Sequence, residues 1–125
     1  MKKILLLVII QFFITACANQ SSHLADNECA NVEPRSSECI QLVFSKNESK
    51  ILTLYDKELN HEPGLRGRVV FNIHLDSNGN VNQVFVTENE SNSVHFANKL
   101  ADVIKQFKFY EGVEYSFSYP LELAP

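Results

Sequence analysis

Alternating hydrophobic and polar positions predict three β-strands in this chain. From Arg68 onward, alternate residues are apolar, as in a strand with one buried face: Val69, Phe71, Ile73 and Leu75. Residues 76–80 include Asn and Gly types that tolerate a positive φ, and residues 81–87 are again β-favouring, which predicts a β-hairpin. After a break near Gly112, a third alternation over residues 113–121 predicts the last strand.

Helical spacing of apolar residues predicts two helices. Ile51, Leu54, Tyr55 and Leu59 share one face, and Ser45 with Glu48 fits a capping box, so a helix is expected over about residues 46–60. Behind a candidate N-cap at Ser93, a second stripe comprises Phe96, Leu100, Val103, Ile104 and Phe107. Residues 18–44 are mostly polar until the run from Cys39 to Phe44, which we interpret as a tether ending in a short extended piece.

The predicted order is therefore α-β-β-α-β. The simplest packing lays both helices on one face of a three-stranded antiparallel sheet, an α+β fold of two layers. Nine Phe and four Tyr support a core in so short a chain, because each ring buries a large apolar area.

The N-terminus has the features of an export signal. Lys2 and Lys3 precede an apolar stretch from Ile4 to Ile14, and Ala16-Cys17 follows as a small-residue cleavage region. Eleven residues rising about 1.5 Å each are too few to cross a hydrocarbon core of about 30 Å. The run Ile14-Thr15-Ala16-Cys17 resembles the lipobox of bacterial lipoproteins, in which the Cys is lipidated and becomes the first mature residue.

The lipobox resemblance implies a signal peptide (1–16) and a lipidated Cys17. With the predicted elements, the chain divides into this signal peptide, a lipidated tether (17–44) and a folded domain (45–125). Lipid on Cys17 would hold the protein to a membrane on the periplasmic side of the envelope, and Ala18 in the next position favours the outer membrane. Multiple acyl chains make such anchoring stable. The alternative is an ordinary secretory signal followed by an incidental Cys.

The net charge argues against a nucleic-acid partner, and the cysteine content predicts a disulfide. The formal net charge of −4 becomes −6 once Lys2 and Lys3 are removed, and no basic face suited to nucleic acid is visible. In an oxidising compartment the two remaining cysteines, Cys29 and Cys39, are expected to form a disulfide. Two free thiols or a metal site are the alternatives, although Zn sites favour closely spaced Cys pairs supported by His.

Many weakly specific positions of residues 51–125 resemble the TonB C-terminal superfamily, with the AgmX/PglI-type subgroup as the nearest match. They are Leu54-Tyr-Asp56, Leu59, Pro63-Gly-Leu-Arg-Gly67, the strand Arg68 to Leu75, Gly79-Asn-Val81, Phe107-Lys-Phe109 and the ending Tyr119 to Pro125. Members of the subgroup often carry a Cys just before the Tyr and another in the later helix. Here Leu54 precedes Tyr55 and the later helix has no Cys, so the corresponding disulfide would lie upstream, between Cys29 and Cys39.

The resemblance implies a domain that receives an extended peptide along a sheet edge. The implied edge consists of Val113, Glu114, Tyr115, Ser116, Phe117, Ser118 and Tyr119, with Pro120 limiting its length. Force-transducing relatives have a transmembrane helix and a proline-rich spacer, and neither is visible here. We therefore expect a lipid-anchored adaptor that docks an envelope partner without transducing energy. The alternatives are a structural subunit of an envelope, secretion or motility assembly, and an edge already paired in a homodimer.

The candidates for chemistry are weak, and we predict a non-enzymatic protein without a metal or cofactor. His23, His61, His74 and His95 lack metal-ligand spacing. Asp56 with Glu58, and Glu88 with Glu90, fit a solvated surface, and residues 76–80 fit a turn better than a calcium loop. An enzymatic role would require His74 to meet a carboxylate or a Ser in a cleft.

Overall fold

A computed structural model describes Cys29 and residues 32–125. Its elements are α1 (Ser37–Lys46), α2 (Glu48–Leu59), β1 (Gly67–Leu75), β2 (Val81–Asn89), α3 (Val94–Ile104) and β3 (Tyr115–Leu123). The signal peptide, Cys17 and the start of the tether, all predicted from residues 1–28, lie outside the described residues.

The three strands form one antiparallel sheet in the order β2-β1-β3. This confirms the α+β class and the antiparallel sheet, and the described residues form three helices where two were predicted. The central strand β1 is the most buried, because the side chains of Val69, Phe71 and Ile73 are all fully shielded from solvent. Phe96, Leu100 and Ile104 of α3 are equally shielded and belong to the same core cluster, as the helical stripe predicted.

The hairpin and the cap of α3 agree with the sequence. The Asp76 carboxylate accepts hydrogen bonds from the backbone N–H groups of Asn78 and Asn80, both at 2.9 Å, and Gly79 adopts a φ of +84°. These bonds hold the pKa of Asp76 below its ordinary value. At the start of α3, the Ser93 hydroxyl accepts from the N–H of Phe96.

The extended piece predicted at residues 39–44 is wrong, because these residues lie within α1. The helix begins at an N-cap, Ser36, whose side chain accepts from the N–H of Cys39. Ile40, Val43 and Phe44 then bury one face in the core cluster. The folded unit therefore begins upstream of residue 45, inside the segment we had assigned to the tether.

The predicted capping box is also wrong. The Ser45 hydroxyl donates to the Gln41 carbonyl within α1, so Ser45 is a helical residue and not a cap. Asn47 separates the two helices and makes no side-chain cap bond to α2. The body of α2 still matches the predicted helix, with Ile51 and Tyr55 buried and Asn60 at its C-cap.

A disulfide and a buried arginine attach the N-terminal segment to the domain. Cys29 and Cys39 form a disulfide pair, with Cα atoms 5.7 Å apart. The guanidinium of Arg35, which is only 6 % exposed, donates to the backbone carbonyls of Tyr110, Val113 and Asp76. Burial lowers the pKa of Arg35, partly offset by the nearby Asp76 charge. These bonds tie α1 to the loop before β3 and to the hairpin turn.

The last strand is displaced relative to the prediction. It spans Tyr115–Leu123, so Val113 and Glu114 precede the strand and Pro120 lies inside it. Register with β1 continues without interruption from Leu75 opposite Tyr115 to Gly67 opposite Leu123. Pro120 therefore does not limit the length of this strand.

Candidate partner-binding edge and groove

β3 is an edge strand, and its backbone alternates between bonding β1 and facing outward. The N–H of Asp76 donates to Asn80 and the carbonyl of Arg68 accepts from Glu90, so even-numbered residues of β1 bond toward β2. Odd-numbered residues of β1 therefore bond β3, and the register pairs them with odd-numbered residues of β3. We infer that the backbone groups of Ser116, Ser118, Pro120 and Glu122 face the open edge.

Pro120 is consistent with this assignment. Proline has no N–H and is tolerated in a sheet where that group would face solvent and not a neighbouring strand. Pro120 occupies an even-numbered position of β3, where a backbone N–H would face the open edge. Its missing N–H therefore removes no hydrogen bond between β3 and β1. A proline in the sequence of a strand was thus an early sign that the strand lies at an edge.

The side chains of β3 form a half-exposed apolar row on the face that carries the helices. Tyr115 is 39 % exposed, and the other members of this row, Phe117, Tyr119 and Leu121, are only partly buried. The intervening Ser116, Ser118, Pro120 and Glu122 are exposed on the opposite face. We call Tyr115, Phe117, Tyr119 and Leu121 the aromatic strip.

A groove of about 190 Å³ lies between the C-terminal half of β3 and the two N-terminal helices. Its lining is mainly apolar, with Phe44, Ile51 and Tyr55 from the helices and Tyr119 and Leu121 from the strand. Gln41, Ser45, Leu52, Glu48, Glu122, Leu123 and Ala124 complete the lining. Because this groove borders the open edge, a strand added to β3 would place its inward side chains into it.

Tyr119 joins the edge strand to α1. Its ring stacks on Phe44 with centroids 3.6 Å apart, and its hydroxyl donates to the Gln41 side chain at 3.0 Å. Burial, and to a smaller extent the charge of Glu48, raises the pKa of Tyr119 above its ordinary value of 10.0, while the bond to Gln41 lowers it. The neutral hydroxyl is thus a fixed donor on the wall of the groove.

The other edge of the sheet is less regular. Pairing of β2 with β1 shifts register twice, leaving Asn82 and Thr87 without direct partners on β1. Bulges of this kind twist a strand and interrupt the row of backbone groups that another strand would need. Of the two edges, only β3 offers nine residues in continuous register.

His74 does meet a serine, but on the exposed face of the sheet. Its Nδ1 lies 2.8 Å from the Ser116 hydroxyl, and Phe85 packs edge-on against the imidazole at 6.0 Å. His74 and Ser116 are directly opposed residues of β1 and β3. Neither residue lines the groove beside β3 or the second cavity described next. The contact is that of a cross-strand pair.

A second cavity of about 280 Å³ lies between the end of α1 and the segment after α3. Its cations are engaged by the protein itself. Lys108 donates to the Asn78 carbonyl and the Asn80 side chain, and Lys46 donates to the Tyr110 hydroxyl. Because both lysines already bond groups of the protein, the cavity indicates no particular class of ligand.

The remaining sequence candidates are separate from one another. Glu58 is buried and bonds Lys99 at 2.6 Å, which lowers the pKa of Glu58. Arg68 lies 3.8 Å from Glu122 across the exposed face of the sheet. Within Cys29 and residues 32–125, no three or more His, Cys, Asp or Glu side chains are grouped so as to hold a metal ion.

The edge strand was predictable from the sequence, but the groove was not. Its helical wall includes Gln41, Phe44 and Glu48, which fall in the segment assigned to the tether or at the supposed cap. The detectable signal was the spacing of Ile40, Val43 and Phe44 behind Ser36, which fits a capped helix.

No protein-family model, curated protein or solved structure matches this chain. The resemblance to the TonB C-terminal superfamily therefore stays a prediction from the sequence. Among the described helices, none is long and apolar enough to cross a membrane.

Proposed function

We propose that this chain is a lipid-anchored, non-enzymatic adaptor that binds an extended segment of an envelope protein along β3. The observation that carries the proposal is the coincidence of three features at one place: a regular open strand, a half-exposed aromatic strip and an adjoining groove. In strand addition, backbone hydrogen bonds supply affinity and pockets for alternate side chains supply specificity.

The aromatic strip supports this function because its own domain leaves it partly uncovered. Large apolar side chains that a fold does not bury are exposed to water, and contiguous groups of them mark interaction sites. An added strand would cover Phe117, Tyr119 and Leu121 with its inward side chains and satisfy the open backbone groups at the same time.

Lipid attachment at Cys17 belongs to the same proposal and rests on the sequence. We expect the mature protein to begin with a diacylated Cys17 at the outer membrane, and Cys17→Ser to appear in the soluble fraction. The measurement is the mass of the mature N-terminal peptide together with membrane fractionation. A soluble wild-type protein would contradict the anchoring.

Proline scanning of β3 tests the docking. Ser118→Pro removes an N–H that faces the open edge, and Pro120 shows that the strand accepts proline at such a position. Ser118→Ala keeps that N–H and serves as the matched control. The full-length proteins would be isolated from envelope membranes after crosslinking.

We expect wild type and Ser118→Ala to retain the same envelope protein and Ser118→Pro to lose it while keeping its helical circular dichroism. Equal capture by all three proteins would remove edge pairing as the mode of binding.

A further inference from the structure

The open edge of β3 and the groove beside it are acidic. Residues 109–125 contain three Glu and no Lys or Arg, and Glu111, Glu114 and Glu122 are all exposed. The groove adds Glu48, and the part of its lining that the structure describes likewise contains no Lys or Arg. Arg68 offsets part of the charge of Glu122 from 3.8 Å away, whereas Glu48 takes part in neither of the salt bridges found among the described residues.

The negative charge disfavours two of the segments that could bind the open edge. A second copy of the chain would double the acidic set, and an antiparallel pairing centred on Ser118 would oppose Glu114 directly to Glu122 of the other copy. Like charges directly opposite each other destabilise a strand pair. The chain's own residues 18–28 carry Asp26 and Glu28 without Lys or Arg, so they match the edge no better.

Building on the proposed function, we propose that the partner segment is cationic: an extended peptide with apolar residues at alternate positions and Lys or Arg beside them. Its inward apolar side chains cover Tyr119 and Leu121 and enter the groove. Its cations point away from the groove, on the face of the sheet that carries Glu122, while Glu48 adds negative charge from the helical wall of the groove. The acidic edge also accelerates encounter with such a segment and slows encounter with acidic chains.

The test uses synthetic nine-residue peptides, matched to the nine residues of β3, that share alternate Leu and Val positions. The remaining positions carry two Lys, two Gln or two Glu in otherwise identical peptides. Binding is measured by calorimetry to the oxidised mature protein. Exposed ion pairs are individually weak, so we expect the Lys peptide to bind about three- to tenfold more tightly than the Gln peptide.

Two variants separate the local charge from the net charge. Glu48→Gln with Glu122→Gln should remove the preference for Lys over Gln, while Glu88→Gln with Asp102→Asn removes two exposed charges elsewhere and should preserve it. Raising ionic strength from about 0.1 M to about 1 M, where the Debye length falls from about 10 Å to about 3 Å, should also reduce the preference.

The experiment separates failure of the cationic-partner proposal from failure of strand addition to β3. If Lys, Gln and Glu peptides bind equally and Ser118→Pro abolishes all three, strand addition stands and the cationic partner is refuted. If the protein is a dimer that Ser118→Pro dissociates, the occupant is a second copy and the cationic partner is again refuted. If no peptide binds, both proposals fail.

Discussion

Truncation of Phe44 tests whether α1 belongs to the folded domain. Phe44 is 3 % exposed and its ring contacts three others: Tyr119 with centroids at 3.6 Å, Phe107 at 5.4 Å and Phe109 at 6.1 Å. Phe→Ala in a core of this kind costs about 3–5 kcal/mol, from lost burial and the cavity left behind. For a domain below about 100 residues, the lower figure corresponds to a fall in Tm of at least about 12 °C.

The assay is urea and thermal unfolding of the oxidised domain, followed by circular dichroism. Leu52→Ala on α2 is the matched control: Leu52 is 48 % exposed, so its truncation should cost about 1 kcal/mol or less. If the free energy of unfolding of Phe44→Ala lies within about 0.5 kcal/mol of the wild-type value, Phe44 behaves like a residue of an unpacked tether. That result would refute the packing of α1 against β3.

Two further predictions concern the hairpin turn and the ion pair between Glu58 and Lys99. Gly79 has a φ of +84°, which side chains disfavour, and a Cβ at this position would collide with the Phe109 carbonyl. Gly79→Ala should therefore lower the free energy of unfolding by at least about 2 kcal/mol. Gly64→Ala, where a Cβ meets nothing within 4 Å, should change it by less than about 1 kcal/mol in the same denaturation assay. Lys99 lowers the folded-state pKa of Glu58 below 4.5, so this pair stabilises the fold above the unfolded pKa and the benefit disappears as pH falls through the folded value. The difference in unfolding midpoint between wild type and Glu58→Gln should therefore shrink on acidification below about pH 5, and a difference independent of pH would contradict the pairing.

The sheet was predictable because its signals are local. Alternation over Val69 to Leu75 and the turn residues near Gly79 determine strand and hairpin within a few positions, and the structure confirms both. The register of β3 was less accessible, since Pro120 indicates the end of a strand unless its N–H is known to face an open edge.

Helix α1 was missed because a short apolar run fits a strand or a helix equally well. Ile40, Val43 and Phe44 are at helical spacing, but Leu42 also places Ile40, Leu42 and Phe44 at alternate positions, as in a strand, and obscures the helical period. The groove was inaccessible for a different reason. It lies where Phe44 and Tyr119, 75 positions apart in the sequence, stack on each other, and such a long-range contact leaves no local signal.

Amide hydrogen exchange at β3 tests the central claim most directly. In the free domain we expect slow exchange at Phe117 and Tyr119, whose N–H groups bond β1, and fast exchange at Ser116 and Ser118, whose N–H groups face the open edge. Binding of the Lys peptide should slow Ser116 and Ser118 selectively. If these two amides exchange at the same rate in the free and bound protein while protection appears elsewhere, the partner does not add a strand to β3.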